Sequence, residues 1–376
     1  MTILRFFVGT YTHGVPHGEG IYSFELDTVS GRAKQISING ELQNPSFLAL
    51  NPNKNYLYAV SEIDSYCGKN EGSVSAFNVG EDGCLSEDVR RSTGGAGPCH
   101  IRVSPDGTVL IVTNYHGGSV ASYPINPEGS LGELATFVQH EGSSIDTERQ
   151  NEAHAHSSIF SADGSIFYVA DLGMDRIVAY KLDPLNARLI SVEEIDTETH
   201  LGAGPRHMAW HPNLRILYVI NELDSTISTY SHKRDNSLDF LQTTETIPDD
   251  FTGRNTCADI HVSQDGRFVY GTNRGHDSIA IFEIEDGSGI ITPIGHHHTG
   301  GKTPRNFKLS ADDAIVLVAN QDTDNIVMFR RDEKYGSLVD TGVEVNVPRP
   351  VCIEFSNRIS QDLKKCQIGN SADSIR

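Results

Sequence analysis

No apolar run in this 376-residue chain approaches the roughly 18 residues a membrane-spanning helix requires. Its first dozen residues lack the charged, apolar and small-residue layout of a secretion signal, and the apolar piece at 3–8 is strand-sized. A basic balance is missing too. With 50 acidic against 30 basic side chains, the formal charge of −20 argues against nucleic acid or an anionic membrane as partner. A small anionic substrate stays open, because a few arginines in a cleft can reverse the local potential. The six cysteines (Cys67, Cys84, Cys99, Cys257, Cys352, Cys366) show no CxxC and no close pair, so reduced thiols in a cytoplasmic protein are expected. Helical periodicity is almost absent. By length alone, the chain could be one large domain or two ordinary ones.

What the chain does contain is a repeat. A strand, a Ser/Asn/His-Pro-Asp/Asn-Gly-like turn, a Tyr-Val-like strand, a polar junction and a third strand ending in an aromatic recur six times, about 50 residues apart. The fourth copy, GAGPRHMAWHPNLRILYVINE at 202–222, is the clearest; as a hairpin it puts Arg206 and Glu222 at one edge of a sheet. A further short strand follows each aromatic, placed at Leu85, Leu131 and 238–241 in three of the copies. The N-terminal segments 5–11 and 21–24 match the second and third strands of the phrase, and 350–355 matches only the first. A seventh sheet assembled from both termini would close the ring and remove an exposed sheet edge. The expected fold is therefore all-β: one seven-bladed propeller of four-stranded blades over 1–358, with a polar tail at 359–376. The polar insertion 139–152 is expected to be a surface loop. His296, His297 and His298 are expected to form a solvated turn; on a strand they would alternate in direction, so facial metal chelation is not expected of them.

In such a ring the first strand of every copy starts, and the second ends, at one mouth of the central channel. The first-strand starts supply Cys99, His100, His156, Arg206, Ala258, Asp259 and Arg305. The second-strand ends supply Glu62, Asn114, Tyr115, Asp171, Asn221, Glu222, Asn273, Arg274, Asn320 and Gln321. The opposite mouth receives the Pro-Asp-Gly turns, whose residues have local backbone roles. Each candidate also has a structural reading: Arg206 and Glu222 as an ion pair, His156 as a buried hydrogen-bonded residue, Arg274 and Arg305 as rim charges. His261 lies mid-strand, His100 is one place out of register, and Met208 and Trp210 read as packing between blades.

The segments HAHS (154–157), GAGPRHMAWHP (202–212), NEL (221–223), ADIHVSQDGRFVYGTNR (258–274) and TPRN (303–306) resemble the seven-bladed propeller lactonase family, with the likeness running from Phe6 to Phe355. That family includes bacterial propeller-type 6-phosphogluconolactonases and fungal carboxy-muconate cyclases. The resemblance implies a catalytic cluster of His156, Arg206, Glu222 and Arg274. It makes Arg305 and His261 site neighbours, with His154, Asn306 and His100 as further substrate-binding candidates. Two departures are visible: Gln264 replaces the usual proline of its turn, and the 139–152 insertion could roof the mouth.

The function implied is hydrolysis of a sugar-acid lactone in carbohydrate metabolism, with 6-phosphogluconolactone of the pentose phosphate pathway as substrate. Glu222 or His156 would be the general base, Arg206 and Arg274 would hold the oxyanion, and Arg305 and Lys302 a distal anionic group. Intramolecular lactone formation or opening on a carboxy-muconate would use the same four residues. A non-catalytic scaffold is the reading from another class, although the Trp-Asp blade endings of many scaffold propellers are missing. Converging arginines would repel a cation, so no catalytic metal and no cofactor are expected. A monomer or weak homo-oligomer is consistent with a closed ring.

Overall fold

The computed structural model describes residues 3–53 and 55–356, and the tail expected at 359–376 lies outside them. Seven antiparallel sheets follow one another around a ring. Blade 1 comprises Leu48–Leu50, Tyr56–Ser61, Ser73–Val79 and Leu85–Ser92. Blades 2 to 6 open on Pro98–Val103, Ala155–Phe160, Pro205–Trp210, Thr256–Val262 and Pro304–Leu309. Blade 7 is the composite one: Pro350–Ser356 pairs with Ile3–Thr10, which continues into Ile21–Asp27 and Ala33–Asn39. The two ends of the chain thus close the ring through one sheet.

The second strand of each blade is apolar along its length because it is covered on both faces by neighbouring blades; Tyr56–Ser61, Val109–Asn114, Ile166–Asp171, Ile216–Asn221 and Ile315–Asn320 are buried at every position. The core is accordingly a set of inter-blade clusters, such as Tyr218, Ile220 and Ile227 with Ile260, Val269 and Phe282. One polar device repeats within it. The hydroxyls of Tyr58, Tyr168, Tyr218 and Tyr270 donate to the carbonyls of Gly129, Asn236, Gly289 and Gly336 in the next blade, at 2.7–2.8 Å. Each bond satisfies a phenol that burial would otherwise penalise. The acceptors need glycine-like freedom: Gly289 and Gly336 have φ of +73° and +69°, and a Cβ there would meet Ile216 at 2.6 Å and Phe268 at 2.4 Å.

Several expectations change in detail. The fourth strand of blade 2 is Thr136–Gln139, not Leu131; Leu131 makes only an isolated antiparallel bridge to Ile125, closed by the Gly132 N–H donating to the Pro124 carbonyl. Blade 3 gains a two-residue strand, Thr197–Glu198, after a single 3-10 turn at Glu193–Ile195. His296 and His298 lie on one face of the outer strand Ile291–His298, while His297 packs on Phe329. Met208 packs in the cluster between blades 3 and 4, with Trp210 against it. Gln264, in the place of a proline, donates its backbone N–H to Asp313 of the next blade, a bond proline could not make. Among the described residues, five cysteines are free thiols and no helix is long and apolar enough to cross a membrane.

Candidate active site

Two rings of residues meet at one mouth of the channel. The register of the first strands aligns Cys99, His156, Arg206, Ala258 and Arg305. The position just after each second strand aligns Tyr11, Glu62, Tyr115, Leu172, Glu222, Arg274 (the last residue of its strand) and Gln321. The asparagines one place earlier do not face the mouth. Asn114, Asn273 and Asn320 donate to the carbonyls of Thr93, Thr246 and Thr299, the residues that follow a fourth strand, and so hold the blade ends together. Asp171 is likewise structural, accepting from His140 and from the His154 backbone.

The centre of the mouth is Glu222. Its Oε1 accepts from Arg149 at 2.7 Å, and its Oε2 accepts from Arg206 Nε at 2.8 Å and lies 2.9 Å from Arg274 Nη2. Arg206, only 2 % exposed, also donates to the Ala258 carbonyl, and Arg274 donates to that of Cys257. Burial alone would raise the Glu222 carboxyl, but Arg274, Arg206 and Arg149 outweigh it and hold it far below the carboxylate range. Burial and the nearby Arg274 push the Arg206 guanidinium down to about 10, so it stays charged at neutral pH. His156 Nε2 lies 4.0 Å from Glu222 Oε2, beyond hydrogen-bond reach. Burial, then Arg206 and His207, drive His156 well below the usual histidine value, so it is neutral.

Four arginines (149, 254, 274 and 305) and two glutamates (62 and 222) line the resulting pocket of about 440 Å³, reversing locally the acidity of the whole chain. Arg305 sits over the Tyr11 ring at 5.2 Å and lies 3.9 Å from Glu62, whose carboxylate accepts from the Tyr11 hydroxyl at 3.0 Å. Such a surface is suited to small anions, and places a neutral imidazole beside fixed cations.

The four expected catalytic residues are brought together, with Arg305 at the same mouth. The other candidates are placed differently. His154 stacks on Tyr115 at 4.5 Å and bonds its carbonyl, buttressing the wall instead of lining it. His100, His261 and Asn306 line a separate cavity deeper in the channel, grouped with His207 and Asp259. Lys302 is not among the lining residues of either. The cause is a β-bulge. Register shifts at Pro98/His100, Ala155/Ser157, Pro205/His207 and Pro304/Asn306 let two consecutive residues face the channel, the first to the mouth and the second one tier below.

Arg149, Arg254, Thr256 and Tyr11 carry no assignment from the sequence. Arg149 comes from the 139–152 insertion, which is no mere surface loop: Gln150 anchors it to the Leu172 carbonyl at 2.8 Å while Arg149 reaches Glu222 and Tyr115. Tyr11 was accessible by carrying the second-strand register one residue past the N-terminal strand. Among the described residues, no cluster of three His, Cys, Asp or Glu is placed to hold a metal.

The family model described as "Lactonase, 7-bladed beta-propeller" matches residues 5–355. A 6-phosphogluconolactonase of Bacillus subtilis is 35% identical, over 94% of this chain and 98% of its own length. One of Formosa agariphila is 37% identical, over 88% and 94% respectively. Among solved structures, the periplasmic gluconolactonase of Pseudomonas aeruginosa superposes with a TM-score of 0.88 at 30% identity, covering 95% of this chain and 100% of that one. With this ring closure, this mouth and a match along nearly its whole described length, the chain belongs to the seven-bladed β-propeller lactonase family.

Proposed function

We propose that the arginine-lined mouth hydrolyses a sugar-acid lactone carrying an anionic group, with 6-phosphogluconolactone as the substrate. The observation that supports this most is Glu222 held by three arginines with a neutral His156 beside it. The names of the Bacillus subtilis and Formosa agariphila relatives point to the same substrate.

The charges divide the labour between the two base candidates. Both oxygens of Glu222 are taken up by guanidinium donors, so Glu222 acts by fixing the arginines, whereas among the described residues His156 Nε2 has no hydrogen-bond partner. His156 is the base. Its Nε2 takes a proton from water as the water oxygen bonds to the lactone carbonyl carbon. Arg274, which lines the pocket, stabilises the tetrahedral oxyanion, and Arg206, buried behind Glu222, adds its charge without touching the substrate. Collapse breaks the bond from that carbon to the ring oxygen, which takes the proton back from His156, and the new acid ionises. Arg305 and Arg254, at the rim, hold the distal phosphate.

The test is acid release from 6-phosphogluconolactone by the purified protein, followed by pH-stat above the spontaneous rate, with a carboxy-muconate lactone in parallel. Turnover of the phosphorylated lactone alone is expected. Turnover of the muconate lactone alone would overturn the proposal in favour of the cyclase reading.

A further inference from the structure

Below the mouth, the channel holds a second cavity of about 420 Å³ that shares no lining residue with the first. His156 and His207, with ring centroids 5.4 Å apart, stand between them. Solvent reaches the lower cavity, since the Lys308, His261 and Glu354 side chains on its wall are 33%, 26% and 19% exposed. We propose that this cavity is a separate binding site for a small hydroxylated carboxylate, its carboxylate held by Arg102 and its hydroxyls by His207, His261 and Glu354.

The donors and acceptors left over in the cavity define that ligand. Arg102 makes one hydrogen bond among the described residues, Nε to the Ser158 carbonyl at 3.2 Å, so both terminal nitrogens of its fork are uncommitted. Two residues along the same strand, His100 accepts from the Ser158 backbone through Nδ1 at 3.4 Å, which makes its Nε2 an N–H donor. These two form a cationic corner suited to a carboxylate. Beside this corner, Asp259 is saturated and serves to orient: it accepts from His207 Nδ1 at 2.8 Å, Asn306 at 2.6 Å and His261 Nε2 at 3.3 Å, and the His207 ring lies against His100 with centroids 5.6 Å apart. That makes Nε2 of the neutral His207 an acceptor and leaves His261 Nδ1 without a hydrogen-bond partner among the described residues. Burial, then Arg206, pushes His207 down to about 4, which keeps it neutral at pH 7. Glu354 gives one oxygen to Lys308 at 2.8 Å and keeps the other. The cavity thus sets donors (Arg102, His100) close beside acceptors (His207, Glu354), while Phe47, tilted against His100 with ring centroids 4.3 Å apart, supplies an apolar face for C–H groups. A hydroxy acid with one carboxylate matches this mixed set of donors and acceptors.

Gluconate is the probe, and the readout is binding, so the result does not depend on whether any lactone is turned over. Crystals soaked in gluconate are expected to show its carboxylate within about 3.2 Å of Arg102. Calorimetric titration of the full chain should give two sites, the lower one with Kd below about 1 mM. Arg102→Met should lose that second site, a weakening of at least about tenfold, and Arg102→Lys should weaken it because an ammonium lacks the two-pronged fork. The lysine variant carries the test if the methionine variant melts early. Gluconate found only at the mouth, or density in the cavity with a titration that Arg102→Met and Arg102→Lys leave unchanged, would overturn the proposal.

Discussion

Replacing Glu222 by Gln tests whether this carboxylate organises the mouth. The substitution keeps the shape and removes the charge that three guanidinium groups share. Breaking a buried ion pair on one side costs about 3–5 kcal/mol. Arg149 is 32% exposed and can re-solvate, so the low end, about 3 kcal/mol, applies here. For a domain of this size the unfolding entropy is about 0.75 kcal/mol per kelvin, so calorimetry should show a fall in Tm of about 4 °C at pH 7. The freed arginines become an anion site. Phosphate at a hundredfold its Kd for this new site would return about 2.7 kcal/mol, restoring most of the lost Tm, over and above any gain from the Arg305 and Arg254 rim that both proteins share. The pH dependence has a definite sign. Glu222 titrates far below an ordinary carboxylate when folded, so its contribution is complete above about pH 4.3 and is lost only as pH falls toward its folded value. The gap between wild type and variant should therefore persist from pH 7 to pH 5. A variant melting within 1 °C of wild type, or equal phosphate shifts in both, would refute the reasoning.

Arg149→Met should raise KM for the lactone about tenfold with a change in Tm of under about 2 °C, because Gln150 still anchors the loop; unchanged steady-state kinetics would make the insertion a bystander. Stability should fall on acidification from about pH 6.5 to about pH 4, because His100, His156 and His207 titrate below 6.5 when folded and the unfolded chain takes up their protons first. Urea midpoints equal at pH 7.5 and pH 4.5 would contradict this. Exhaustive EDTA treatment should leave lactone hydrolysis unaltered, since the arginines leave no free carboxylate at the mouth centre for a cation. Activity lost to EDTA and recovered with a divalent ion would show otherwise.

The fold was legible because the repeat carries its own grammar: apolar second strands, turns at fixed offsets and a split seventh copy at the termini. The Arg206–Glu222 pairing was legible from one hairpin, since a tight turn sets strand start against strand end. The bulge was not. Simple alternation puts adjacent residues on opposite faces, yet Arg206 and His207 both face the channel, and the same extra residue drops His100 and Asn306 to the lower tier. Arg149 was hidden for a different reason. It lies where the repeat is interrupted, so no register says which way it points, and only the anchoring of Gln150 under Leu172 sends it to Glu222.

The measurement closest to the central claim is kcat/KM for 6-phosphogluconolactone, corrected for spontaneous hydrolysis, in the wild type, His156→Asn and Arg274→Gln. Loss of the base should cost about 10²–10⁴-fold, and loss of an oxyanion donor about 10²–10³-fold. Three proteins that accelerate the reaction equally would show that the chemistry is done elsewhere.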